Sequence, residues 1–296
     1  MKLGTVEHGG RAIPVAVRDA ATVVDLSPDF ADMVALVEAG PEGLEAARTR
    51  LASGPGLALS DCRVRCPIRP VQYRDCLVFE EHLVNCGVVF EAATGRKMEV
   101  PPVWYRQPIY YKGNRLSFIG DGEEIIWPNY AEHLDIELEL AIVVGRTGKD
   151  ISKEAAPDHI FGYTILNDVS ARDAQMAEMA GQLGPAKGKD FDTGNILGPW
   201  IVTADEIPHP AALRMEARVN GARWGGGTSA AMHHDFAAIL AHISMSETIH
   251  AGEVIGSGTV GTGCGLETGR RLAPGDRIEL EIERIGVLSN RIVRPG

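Results

Sequence analysis

The stretch Ile136–Val144, IELELAIVV, decides how this chain reads. As a strand its side chains alternate: Ile136, Leu138, Leu140, Ile142 and Val144 point one way, Glu137 and Glu139 the other. Side chains two apart on a strand project in parallel, roughly 6.5–7 Å apart. Two carboxylates so held can converge on one hard cation at metal–oxygen distances of ~2.1–2.4 Å. Left unpaired in a buried site they would repel, and one would take up a proton. The alternative is a solvated sheet face, the ordinary meaning of such alternation.

The chain carries its own lookalike. In Asp276–Glu283, DRIELEIE, Ile278, Leu280 and Ile282 alternate with Glu279, Glu281 and Glu283. Periodicity cannot separate the two strands, so the decision falls to neighbouring residues. Ile160–Leu166, IFGYTIL, reads as a buried strand running into Asn167-Asp168-Val169-Ser170-Ala171-Arg172-Asp173-Ala174-Gln175. Ser170 and Asp173 have capping-box spacing, which puts Asp168 at a strand end just before a helix, a rigid place for a ligand. An isolated Asp there would be a turn residue. Nothing comparable follows the lookalike strand.

Bulk properties set the bounds. The 296 residues are 45% hydrophobic and 23% charged, an ordinary globular balance long enough for a large core. A net charge of −11 argues against nucleic acid or an anionic membrane as partner. No apolar run approaches the ~18–20 residues of a membrane span, and MKLGTVEHGG has no signal-peptide core. The five cysteines form no zinc-ribbon pattern, and the expectation is reduced thiols in a cytoplasm.

Residues 1–69 read as a small α+β unit: short strands with a hairpin at Gly9-Gly10, then helices over 29–39 and 42–52. The remainder, 70–296, holds the chemistry. YRDCLVFEEHLVNCGVVF is helix-compatible, and on one continuous helix Asp75 and His82, seven apart, would share a face. MEVPPVWYRQPIYYKGN has too many prolines for a helix and reads as an irregular substrate-facing loop. GPAKGKDFDTGNILGPW reads as a glycine-rich loop containing Lys189. Asn220-Gly221 marks a hairpin, and 235–247 an amphipathic helix with Phe236, Ile239, Leu240 and Ile243 inside. The literal G-x-G-x-x-G at Gly256, Gly258 and Gly261 leads into breakers instead of a helix, so a dinucleotide fold is rejected. Strands outnumber helices without βαβ alternation, which predicts a strand-rich α+β fold.

Four blocks together resemble the fumarylacetoacetate hydrolase family: RDCLVFEEHLVN (74–85), LDIELELAIVVG (134–145), GYTILNDVSARDAQ (162–175) with KGKDFDTGN (187–195), and GSGTVGTG (256–263) with GDRIELEIERIGVLSN (275–290). The opening MKLGTV…VVDLSP resembles the small N-terminal domain of many members. The resemblance implies a mixed β-sandwich roll and a homodimer. It implies a divalent metal, Mg²⁺ or else Mn²⁺ or Ca²⁺, held by Glu137, Glu139 and Asp168 with Asp75 as a further ligand. It makes His82 the general base, oriented by Glu267 or alternatively Glu81. It makes Tyr111, Gln175, Lys189 and Thr259 substrate or oxyanion contacts. Leu77 and Glu91 stand where the hydrolase that names the family has a tyrosine and a substrate arginine.

The expected activity is metal-assisted hydrolysis of a carbon–carbon bond in a β-diketo acid such as an acylpyruvate, with a small keto acid as the partner molecule. The alternative within the resemblance is decarboxylation, isomerisation or dehydration of a 2-keto acid. A non-catalytic metal-binding protein is the rival from another class. It requires that His82→Ala and Lys189→Ala change no activity.

Overall fold

The computed structural model describes residues 1–207 and 212–295. The organising stretch follows the two-residue strand Leu134–Asp135, which pairs with Ser170–Ala171, and forms the strand Leu138–Val144. That strand lies inside a twelve-stranded sheet, between Ile160–Asp168 and Val254–Gly256, antiparallel to both. Tyr73–Cys76 runs parallel beside Val254–Gly256, and Tyr110–Lys112 closes that edge. On the other side come Asn195–Thr203 and then Lys2–His8, Arg11–Val17, Thr22–Asp25 and Gly56–Ala58. The N-terminal strands therefore extend the sheet that carries the acidic strand. A second, five-stranded sheet runs Ala222–Thr228, Arg214–Val219, Arg277–Ile282, Gly286–Val293, Glu124–Ile126.

Alternation on the organising strand sorts side chains between two cores rather than between core and water. Leu138, Leu140, Ile142 and Val144 join the large core between the sheets, with Leu280, Ile282 and Leu288. Ala141 and Val143 face the other way, into a core with Leu3, Met33 and Leu36. Glu139 shares that second parity and is fully buried. A sheet covered on both faces is nearly apolar throughout, so the acids at this strand's start need another explanation than solvent.

Several local expectations are corrected. Asp75 and His82 do not share a helix: Tyr73–Cys76 is a fully buried strand, and the helix starts only at Glu80 and runs to Thr94. Strand pairing on both edges overrides the helix-compatible pattern at the start of this segment. The proline-rich segment is only partly irregular, with a short helix and the strand Tyr110–Lys112 set into it. Pro102 starts a short helix, Pro102–Arg106, where its missing N–H costs nothing. Trp104 in that helix is buried and donates its indole N–H to the Leu77 carbonyl at 2.5 Å. The Ser170–Asp173 capping box does not form, because the helix Arg172–Ala180 begins two residues after Ser170. The Ser170 hydroxyl instead donates to the Asp168 carbonyl (3.0 Å), and Asp173 accepts the backbone N–H of Glu132 (2.8 Å). Lys189 ends a single helical turn, Ala186–Lys189, rather than lying in open loop. The first helix covers only Met33–Glu38, capped by Asp32, and the amphipathic one Phe236–Ile243, capped by Asp235.

Candidate active site

Where the second-core face of the acidic strand turns polar, the sheet gathers acids from three neighbouring strands. Asp75 comes from Tyr73–Cys76, Glu139 from Leu138–Val144, and Asp168 ends Ile160–Asp168. One oxygen of each lies within 4.8 Å of the others. All three are buried. The strand between them, Val254–Gly256, ends in a residue that must lack a side chain: a Cβ on Gly256 would come within 2.3 Å of Asp75 Oδ1 and 2.8 Å of Glu139 Oε2. Two residues on, Gly258 donates its backbone N–H to Glu139 Oε2 at 3.0 Å and Asp75 Oδ1 at 3.3 Å. Its φ of +80° suits glycine. Thr259, next in this loop, is buried as well.

This arrangement is short of positive charge. Lys189 is buried between Glu137 Oε2 (2.5 Å) and Asp168 Oδ2 (2.6 Å). Arg172, also buried, bonds Glu137 Oε1 (2.6 Å) and Asp135 Oδ2 (2.8 Å). Five carboxylates thus meet two cations, and neither Asp75 nor Glu139 has an ion-pair partner among the described residues. Glu139 Oε1 and Asp168 Oδ1 are buried with no hydrogen-bond partner. An unpaired buried carboxylate costs several kcal/mol, and the protonation equilibria register it. Burial first, then Asp168, pushes Asp75 up to about 8. Burial and the adjacent Asp75 push Glu139 well above the usual carboxylate range. Burial raises Asp168 too, partly offset by Lys189. Glu137 goes the other way: burial alone would raise it, but Lys189 and Arg172 hold it well below the ordinary value. Convergent, oxygen-only donors with two orphaned oxygens fit a hard divalent cation.

The remaining candidates surround the acids. Tyr111 donates its hydroxyl to Asp168 Oδ2 at 2.8 Å. Gln175, on the first turn after Arg172, accepts from the Arg172 guanidinium at 3.1 Å. His82 is buried, with Nδ1 2.7 Å from Glu267 Oε1. Glu267, not Glu81, is therefore its carboxylate partner. Glu81 lies against Gly261. Burial draws the imidazole down, but Cys264, Cys86 and Glu267 together hold His82 well above its ordinary value. Glu137 differs from its expected placement. It lies outside the convergent group of Asp75, Glu139 and Asp168, with one oxygen on Arg172 and the other on Lys189, and each oxygen keeps a lone pair free for a cation.

Residues 73–293 match the fumarylacetoacetate (FAA) hydrolase C-terminal family. The chain belongs to the fumarylacetoacetate hydrolase family. It is 34% identical over 239 residues to an oxaloacetate tautomerase of Bacillus subtilis, covering 79% of this chain and 74% of that one. It is 32% identical over 289 residues to a mitochondrial oxaloacetate tautomerase of Xenopus laevis, covering 95% and 86%. Among solved structures, a fumarylacetoacetate hydrolase from Exiguobacterium antarcticum superposes with TM-score 0.81 at 29% identity, and a 5-carboxymethyl-2-hydroxymuconate delta-isomerase from Mycobacterium smegmatis with TM-score 0.76 at 26%. Each covers both chains fully.

Members of the fumarylacetoacetate hydrolase family are divalent-metal-dependent enzymes, and the Asp75–Glu139–Asp168 cluster is the candidate metal site here. Sequence reasoning missed Arg172 and Asp135. The signal for Asp135 was present, since Asp135, Glu137 and Glu139 alternate on one face of DIELE. Arg172 lay inside a quoted motif, but nothing local shows that an arginine will be buried. Cys86, four residues after His82 on one helix, had a spacing signal, whereas Cys264 carried none, because it joins them from a distant segment of the chain.

Proposed function

We propose that this chain shifts a proton within a 2-keto acid, interconverting keto and enol forms of an oxaloacetate-type substrate with a divalent metal bound by Asp75, Glu139 and Asp168. The observation that carries the reading is a convergent acidic cluster in which Glu139 and Asp168 each keep a buried, unpartnered oxygen, with a buried lysine on Asp168 and a His82–Glu267 pair in the same chain. The names of the curated relatives supply the reaction type.

Asp75, Glu139 and Asp168 would hold a hard divalent cation, which would supply Lewis-acid stabilisation of the enolate character of the substrate. Lys189 is held charged: burial alone would lower it, but Asp168 and Glu137 keep it raised. It stabilises the negative charge that develops on the substrate oxygen, the kind of donor whose removal costs ~10²–10³ in rate. His82 exchanges the proton at C3, with Glu267 fixing its ring through Nδ1. Toward the keto form, C3 gains a proton and the enol hydroxyl gives one up; no water is consumed. Tyr111 orients Asp168, and Arg172 braces Glu137 and Gln175.

Hydrolysis of a carbon–carbon bond is the second reading. The His82–Glu267 pair favours it, since a carboxylate-oriented imidazole is also what activates a water. The two need opposite protonation. A His82 held above its ordinary value keeps its proton near neutrality and donates it to carbon, whereas water activation needs the neutral ring. The test follows the ultraviolet absorbance of enol oxaloacetate and of an acylpyruvate panel with added Mg²⁺, against the buffer rate. Faster enol decay, abolished in Glu139→Gln and at least ~10²-fold slower in His82→Ala, supports the proton shift. Acylpyruvate cleavage without enol acceleration overturns it.

A further inference from the structure

We propose that His82, Cys264, Glu267 and Cys86 form a second metal site, separate from the carboxylate cluster, that takes a thiophilic cation such as Zn²⁺. One donor atom each of His82, Cys264 and Glu267 lies within 4.8 Å of the others. Glu267 Oε1 is 2.7 Å from His82 Nδ1 and 3.3 Å from Cys264 Sγ. Cys86 Sγ, one helical turn beyond His82, lies about equally far from both ring nitrogens, 3.9 Å from Nδ1 and 3.7 Å from Nε2. A tetrahedral zinc with bonds of about 2.0–2.3 Å separates its donors by roughly 3.3–3.8 Å. The two Glu267 edges lie at or just below that range, so a small opening of the His82–Glu267 pair would seat the ion on three donors, and rotation of the Cys86 side chain would bring its thiol round as the fourth.

The donor chemistry differs in kind from that of the carboxylate cluster. Two thiols and an imidazole strongly favour zinc over magnesium, whereas three carboxylates suit magnesium, calcium or manganese. The carboxylate is already aimed. Asn85 Nδ2 and the Thr262 backbone N–H, each at 2.8 Å, hold Glu267 Oε2 and leave Oε1 for the cation. All five cysteines are free, and Cys86 and Glu267 are the half-buried members of the four. On binding, the protons of both thiols and of Nδ1 leave to solvent. The ion would take Nδ1 from Glu267 and immobilise His82, so zinc inhibits. That consequence rests on the role given to His82 above; the binding itself does not.

The probe is Co²⁺ titrated into the whole chain with Mg²⁺ in excess. A thiolate-to-cobalt charge-transfer band should grow to one equivalent, be displaced by Zn²⁺, persist in Glu139→Gln, and vanish in Cys264→Ser and Cys86→Ser. Zinc affinity in the cysteine variants should fall by more than the ~10–100-fold of a lost outer-shell partner. No band in the unaltered chain, or a band that survives both cysteine changes and so arises from Cys62, Cys66 or Cys76, overturns the site. With the band present, Zn²⁺ should reduce enol-oxaloacetate turnover at least ~10-fold, reversibly by chelator, and less so in Cys86→Ser. A band in a chain that never accelerates enol decay leaves the site standing and overturns only the proton-shift reading.

Discussion

The two Glu-x-Glu strands of this chain share a pattern and nothing else. Leu138–Val144 is buried at every residue, and Glu139 at its start has no cationic partner among the described residues. Arg277–Ile282 alternates buried and half-buried, as its periodicity predicts. Glu279 and Glu281 are 22% and 29% exposed, and cross-strand register sets them opposite Arg218 and Glu216 of Arg214–Val219. Arg218 reaches both glutamates, at 3.5 and 2.8 Å. Alternation on a strand reports only that its two sides differ. What lies over the second side decides the chemistry: paired arginines at a solvent boundary in one case, a closed core in the other. Half-exposed pairs contribute ~0–1 kcal/mol, while an uncompensated buried carboxylate costs several, so only the first strand demands a cation.

The sharpest break of this comparison is Glu139→Gln. It should abolish metal-dependent turnover, whereas Glu281→Gln should leave turnover unchanged and shift stability by no more than ~1 kcal/mol, read from parallel kinetics and urea melts. Lys189→Ala should lower the rate ~10²–10³-fold while the chain still binds Mn²⁺. Gly256→Ala should weaken divalent-metal binding by pressing a methyl into Asp75 and Glu139; a like change at Gly275, beside the lookalike strand, should cost stability through its φ of +95° yet leave metal binding by the folded chain unchanged.

The pH dependence of stability follows from the signs. Asp75 and Glu139 are raised in the folded chain, so the stability they contribute is full below the ordinary carboxylate value of ~4. It is lost as pH rises toward the folded value, about 8 for Asp75. Metal-free protein should therefore melt lower at pH 8 than at pH 5, and added Mg²⁺ should raise the melting temperature more at pH 8. Glu139→Gln should flatten that slope.

Much of this was legible in the sequence. The strands at Ile160–Asp168 and Arg214–Val219, the Asn220-Gly221 hairpin and the apolar stripe of Phe236, Ile239, Leu240 and Ile243 follow from local periodicity and turn chemistry. The strand Tyr73–Cys76 did not, because its fate is set by Val254–Gly256, nearly 180 residues away. The carboxylates of the candidate site were legible through a family resemblance, since three acids on three strands have no common spacing. Asp135 could have been read from DIELE, whereas the burial of Arg172 and the approach of Cys264 to His82 are properties of the folded chain alone.

The central claim is that buried carboxylates, and not their lookalikes, bind a hard cation. Calorimetric titration of Mn²⁺ into wild type, Glu139→Gln and Glu281→Gln tests it most directly. One oxygen-type site in wild type and Glu281→Gln, absent from Glu139→Gln, is the predicted result. Equal binding in Glu139→Gln, or its loss in Glu281→Gln, would contradict the account.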